Sequence, residues 1–288
     1  MVHSMTGYAA VAREVALGTL AIEVRSVNSR FLDLQFRIAE DVRAAEPQLR
    51  ELVAAAVARG KVDFRVSFTP AIGAGGEAAL DRQVLDRLAA LTRAVRAAIP
   101  DAQPLRVSEV LHWPGVFGED PGAQAALREA LVGLAREALA ELAATRQREG
   151  AKLAEMIASR VAAIRARLAD IAPAVPQAIA AYQEKLAARL REVLAGGEEE
   201  RIRQEIAMFG VKIDVAEELS RLAAHLDEVE RVLAKGGPVG KRLDFLMQEL
   251  AREANTLGSK SVSKQLADAA LDFKLAIEQM REQVQNLE

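Results

Sequence analysis

The sequence predicts an α+β fold in which a strand-rich amino-terminal region precedes a mainly α-helical region with long, coiled-coil-like helices. Three observations carry this. Period-two alternation is confined to about the first seventy residues. Apolar residues recur near heptad spacing from Ala123 to Ile171. The remainder reads as successive amphipathic helices.

The strands come first. Leu20, Ile22 and Val24 point one way, as do Leu32, Leu34, Phe36 and Ile38, and later Val62, Phe64, Val66 and Phe68. Ser26 to Arg30 supplies turn-type residues, Ala44 to Ala58 reads as a helix with Pro47 near its start, and Ile72 to Gly76 reads as a loop. Asp81 to Ile99 is a second helix, and a Pro- and Gly-punctuated stretch to Pro121 carries the single tryptophan, Trp113. Leu127, Leu131, Leu134 and Ala138, then Leu153, Met156, Ile164 and Leu168, mark the long helices. Pro173 and Pro176 break that pattern, a further helix runs to about Leu194, and Gly196 to Glu200 marks the next turn and helix start. Helices follow over Glu199 to Leu233, Leu243 to Leu257 and Ser263 to Leu287. The expected organisation is a strand-rich domain over 1–121, a long helical region over 122–198 and a carboxy-terminal helical domain over 199–288.

Composition narrows the chemistry. The 288 residues, 51% of them hydrophobic, suffice for a sizeable core. The absence of cysteine excludes disulfides, thiolate metal sites and cysteine nucleophiles, and it fits a reducing compartment. With no signal-peptide pattern at the amino terminus and no long apolar run, a soluble, cytoplasmic protein is expected. A net charge of −3 is not that of a bulk polyanion binder, so nucleic-acid contact has to come from local basic patches or from several subunits. At 4% aromatic residues, phosphate contact outweighs base stacking as the expected mode.

The segment Phe245 to Lys260 is the most specific. At about 100° per residue, Leu243, Leu246, Leu250, Ala254 and Leu257 form an apolar stripe, and Glu249, Glu253, Thr256 and Lys260 line one flank. Gln248, Arg252, Asn255 and Ser259 lie opposite the core. Asn and Ser are indifferent helix formers, so their use here gives up propensity that Ala would supply. On the preceding helix Asp214, Glu218, Arg221 and His225 share a flank beside Leu219, Leu222, Leu226 and Val229. Imidazole serves as metal ligand or general acid and base near neutral pH.

If the two helices pack through their apolar stripes, the flanks converge into a patch of carboxylates, imidazole and cations, although spacing leaves open which flanks meet. Asp214, His225, Glu249 and Glu253 are then candidate ligands for Mg²⁺ or Mn²⁺, with His225, Glu249 and Glu253 as catalytic candidates. Arg252, Asn255 and Lys260 are candidate phosphate contacts, joined by Lys241 in the Gly236 to Arg242 stretch. That stretch is not a P-loop, because Lys235 stands where a Gly is needed and Arg242 where a Ser or Thr is needed. A glycine stop followed by a turn describes it better. On the last helix Leu266, Phe273, Ile277, Met280 and Val284 form the core row, and Lys274, Glu278, Arg281 and Gln285 a flank. The polar carboxy terminus is expected to dock against another surface, such as a second subunit.

The segments Lys212 to His225, Gly236 to Glu249, Arg252 to Lys260 and Arg281 to Asn286 resemble the carboxy-terminal signature of the YicC/YloC family. Ser4 to Tyr8, Glu23 to Asp33 and Arg59 to Val62 resemble its amino-terminal region, so the resemblance brackets the chain. Ser29 stands where many members have His. The resemblance implies a metal-dependent endoribonuclease of the bacterial cytoplasm that cleaves single-stranded or structured RNA, small regulatory RNA included, as a homo-oligomer, a hexamer. Carried to this sequence, Arg25, Asn28, Arg30 and Arg281 become further RNA-binding candidates. The alternative is a non-catalytic RNA-binding or adaptor homo-oligomer whose polar stripes are subunit contacts.

Overall fold

The computed structural model describes residues 1–71, 80–113, 115–116, 121–193 and 199–288. The predicted loop over Ile72 to Gly76, the helix end at Leu194 and the glycines of the predicted turn at Gly196 and Gly197 lie outside them. The architecture is α+β. Strands β1 (Gly7–Val15), β2 (Gly18–Val27), β3 (Leu32–Ile38) and β4 (Gly60–Pro70) form one sheet in the order β1-β2-β4-β3. Helix α1 (Glu46–Ala56) lies between β3 and β4 in sequence. After the sheet come α2 (Arg82–Ala98), α3 (Val107–Leu111), α4 (Pro121–Ile171), α5 (Val175–Val193) and α6 (Glu199–Ile213). Helices α7 (Ala216–Lys235), α8 (Gly240–Lys260) and α9 (Lys264–Val284) complete the chain. Among the described residues no helix is long and apolar enough to cross a membrane.

The chain divides into two compact units, one holding Tyr8–Arg25 and Phe31–Leu142, the other Met1–Gly7, Ser26–Arg30 and Ala143–Glu288. In the sheet unit, the predicted alternation is the burial pattern. Leu20, Ile22 and Val24 of β2 and Val62, Phe64 and Val66 of β4 are buried on one face. Parallel pairing of β3 with β4 sets Phe36 beside Phe64, their rings 5.2 Å apart, and the Arg50 guanidinium lies 4.5 Å from the Phe36 ring centre. Leu49 and Val53 of α1 cover this face together with Leu127, Leu131, Leu134, Ala138 and Leu142 of α4. The near-heptad spacing of those α4 residues therefore serves helix-on-sheet packing, because any stripe repeating every three or four residues meets a flat apolar face equally well.

The helical unit has its own core, built on Leu222, Leu226 and Val229 of α7, Leu243, Leu246, Leu250, Ala254 and Leu257 of α8, and Phe273, Ile277 and Met280 of α9. Each fully buried Leu is worth about 2 kcal/mol against exposure. The predicted single helix over Glu199 to Leu233 is instead two, α6 and α7, broken at Asp214 and Val215. The Asp214 carboxylate accepts the Ala216 backbone N–H at 2.9 Å, which satisfies an amide that a new helix start leaves open.

The two ends of the chain meet in this unit. Ser4 bridges Leu287, the Met5 N–H donates to the Asn286 carbonyl at 2.8 Å, and the Glu288 N–H donates to the His3 carbonyl at 2.8 Å. Arg146, buried on α4, donates through Nε to the Ser4 carbonyl at 2.6 Å and pairs with Glu288. Thr6 Oγ1 donates to Glu149 at 2.7 Å. The predicted docking of the polar terminus is thus made, against the amino-terminal segment of the same chain. Gly150 makes it possible, since a Cβ there would lie 2.4 Å from the Val2 carbonyl oxygen. Gly150→Ala is expected to cost about 2 kcal/mol through this overlap, read as a lower urea midpoint with an unchanged slope.

Candidate functional site

Helix α7 begins with Glu217 and Glu218 and ends with Lys235, and α8 ends with Lys260, an arrangement that suits both helix dipoles. A short turn joins them. Gly236 and Gly237 take positive φ values of 67° and 82°, a conformation that side chains with a Cβ resist, so the chain reverses and α7 and α8 pack side by side.

The reversal decides which flanks meet. Lys260 Nζ lies 2.7 Å from Glu218 Oε1 and donates to the Asp214 carbonyl at 3.0 Å. One turn along, Arg221 Nη1 lies 3.4 Å from Glu253 Oε1, and Arg221 also pairs with Glu217. The Asp214 to His225 flank therefore faces the Glu249 to Lys260 flank. Within each pair the carboxylate is inside and the cation outside: the Glu218 and Glu253 side chains are 8% and 6% exposed, those of Lys260 and Arg221 30% and 56%. The charge of Glu217, with the hydrogen bond to Glu253, holds the Arg221 guanidinium above its ordinary pKa.

Glu218 sits in the buried row with Leu222, Leu226 and Val229, while Leu219 is only partly buried. Residue spacing sets Glu218 on the flank and not among the candidate ligands. The four-residue step from Glu218 to Leu222 to Leu226 was the available signal. Its Oε2 is buried without a hydrogen-bond partner.

The predicted site residues distribute as follows. Asp214, Glu253 and Lys260 gather with Glu218 and Arg221, and all are engaged: Asp214 at the start of α7, Glu253 with Arg221, Lys260 with Glu218. His225 and Glu249 follow one turn further along the same flanks, both half-buried. Among the described residues no hydrogen bond or ion pair reaches either. Among the described residues, too, no three His, Asp or Glu side chains stand where they could jointly hold a metal ion. Asp214, His225, Glu249 and Glu253 are thus not assembled as a four-ligand cage within one chain.

Arg252 and Asn255 are exposed on the outer face of α8, and Lys241 is exposed at its start, beside the turn. There Glu228, which sequence reasoning passed over, accepts from Arg231 at 2.7 Å and from Arg242 at 3.1 Å. These hydrogen bonds, Arg231 first, hold its carboxyl below the ordinary pKa. Asn28 donates to the Gln285 carbonyl at 2.8 Å and so ties down the chain terminus. Arg281 lies 3.7 Å from Glu278, and Arg25 and Arg30 are exposed.

Comparison with known proteins adds identity to this geometry. Residues 2–155 match the model for the amino-terminal region of YicC-like endoribonucleases, and residues 171–288 match the model for their carboxy-terminal part. The chain is 34% identical to a probable endoribonuclease YicC of Haemophilus influenzae, over the full length of both. It is 27% identical to a protein of the same description from Clostridioides difficile, again over the full length of both.

Two outcomes follow for the hairpin. Lys260→Met leaves a buried carboxylate without its cation and should cost about 3 kcal/mol. Adding Glu218→Leu should recover much of that loss in a double-mutant cycle by urea unfolding. Because the folded-state pKa of Glu228 is lowered, its stabilisation is present above the ordinary carboxylate range and is lost as pH falls through the folded value. Glu228→Gln should therefore lower the urea midpoint at about pH 7, with the gap to the wild type narrowing as the pH falls below the ordinary carboxylate range.

Proposed function

The chain belongs to the YicC-like endoribonuclease family, and on that premise we propose that it cleaves RNA internally, with single-stranded or structured RNA, small regulatory RNA included, as substrate. The observation that carries the reading is the meeting of the α7 and α8 flanks. It brings His225 and Glu249, both half-buried and uncommitted, onto facing flanks beside a cluster whose other charges are already paired.

The donor set bears on the metal. Glu253 is buried against Arg221, and a cage of protein ligands is not formed. A divalent cation of the Mg²⁺ or Mn²⁺ type needs no such cage, since it is commonly held by one or two carboxylates together with substrate phosphates and water. Glu249, with an oxygen donor and no competing cation among the described residues, fits that role, with His225 on the facing flank. Such a cation supplies charge neutralisation at the scissile phosphate.

The chain's own groups do the rest. His225 accepts the proton of the attacking oxygen and returns one to the leaving oxygen, a task suited to imidazole near neutral pH. Arg221 and Lys260 pair with Glu253 and Glu218 and hold them in place, so the flank bearing Glu249 keeps its register. Arg252, Asn255 and Lys241 contact the RNA from the exposed side, with Arg25, Arg30 and Arg281 contributing phosphate contacts in a cytoplasmic homo-oligomer, a hexamer, whose repeated subunits gather these cations locally although each chain carries a net charge of −3.

The test uses end-labelled RNA with wild type, Glu249→Gln and His225→Ala, with and without chelator, alongside the assembly size by light scattering. Each variant should lose about 10²- to 10³-fold in cleavage rate at unchanged assembly size, and chelation should abolish cleavage. Cleavage that persists in chelator removes the metal. RNA binding by the wild type without cleavage favours the adaptor alternative.

A further inference from the structure

Away from the α7–α8 cluster, the helical unit has a groove of about 340 Å³ between α5 and the link from α8 to α9. Tyr182, Lys185, Leu186 and Arg189 line it from α5, and Val262 and Ser263 close the other side. Tyr182, Lys185 and Arg189 stand at i, i+3 and i+7, one face of a helix.

Its charge sets this groove apart. None of its lining residues is acidic, and neither Lys185 nor Arg189 meets a carboxylate among the described residues. Most other cations of the helical unit are paired, Arg165, Arg221, Arg231, Arg242 and Lys260 among them. Of the acids of α5, Glu184 falls on another face, and Glu192, three residues beyond Arg189 on the same face, pairs with neither Lys185 nor Arg189 among the described residues. By contrast, the larger cleft between α4 and α9 mixes Lys152 and Arg160 with Glu155 and Glu282. The groove along α2 beside Trp113 is apolar, and nothing in the structure shows what covers it.

The chemistry of the α5 groove is therefore a pair of unneutralised cations above an apolar floor of Leu186 and Val262, with a half-buried phenol ring at one end. Two cations four residues apart on a helix are separated by about 6 Å of rise, within reach of neighbouring phosphates on one strand. A ring in a groove of this size takes one unstacked base, and a duplex keeps its base faces hidden.

We propose that this groove is a single-stranded RNA subsite, in which Tyr182 stacks on one base and Lys185 and Arg189 hold successive phosphates of the strand that runs on from it. It rests on the endoribonuclease reading for the identity of the polyanion as RNA. It names a place where substrate is gripped apart from His225 and Glu249.

The test is fluorescence anisotropy with a fluorescein-labelled 2′-O-methyl 12-mer, whose blocked 2′ oxygen cannot act as nucleophile, and with the same strand in a duplex. Lys185→Gln/Arg189→Gln should weaken single-strand binding about tenfold or more and reduce the salt slope by about 1.4. Tyr182→Ala should weaken it about tenfold, and Tyr182→Phe should restore it. All three variants replace half-buried or exposed side chains and should keep the wild-type melting temperature.

Wild-type affinity in both the double variant and Tyr182→Ala overturns the subsite, as does equal affinity for the duplex. Cleavage of end-labelled RNA is followed in the same preparations. Loss of binding in the variants with no cleavage by the wild type upholds the groove and removes the nuclease, whereas cleavage by the wild type with binding unchanged in the variants does the reverse.

Discussion

The register of α7 against α8 is the constraint on which the site depends, and it is held by charge at both ends of the hairpin. At the open end Glu218 and Glu253 are buried and answered by Lys260 and Arg221, which lie nearer the solvent. A buried carboxylate without its cation costs several kcal/mol, so sliding one helix past the other by a turn would strand two such charges at once. At the turn, Glu228 draws Arg231 and Arg242 together across Gly236 and Gly237. Apolar stripes alone tolerate slippage, since one Leu packs much like another, and paired charges do not.

A second arrangement of the same kind joins the chain's ends. The buried Arg146 guanidinium serves the Ser4 carbonyl and the Glu288 carboxylate, and the backbone bridge between Ser4 and Leu287 completes the clasp. Polar residues at the two termini therefore have structural work. Asn28 binding the Gln285 carbonyl and Ser26 binding the Met5 carbonyl at 2.8 Å are further cases. The family signatures at the two ends of the chain meet in three dimensions through these bonds.

Much of the fold was legible in the sequence, because burial imposes periodicity. The alternation in β2, β3 and β4 and the apolar rows of α7, α8 and α9 are repeated in the buried cores. The break between α6 and α7 was not legible. Asp214 and Val215 interrupt neither the apolar spacing nor the charge pattern, and a single side-chain hydrogen bond to Ala216 starts the new helix. Glu218 was misplaced by the rule that charges face water, which fails where a partner cation is supplied from another helix.

Local periodicity and residue identity suffice for the α+β class, for the helical flanks bearing Asp214 to His225 and Glu249 to Lys260, and for the motifs that carry the family resemblance. Which of those polar groups are spoken for is settled by packing in three dimensions. Glu253, Lys260 and Asp214 are engaged within the chain, while His225 and Glu249 are left uncommitted among the described residues. The reason is physical: a charge pair forms between side chains about thirty to forty positions apart in sequence, and its existence depends on the helix register, which no local pattern encodes.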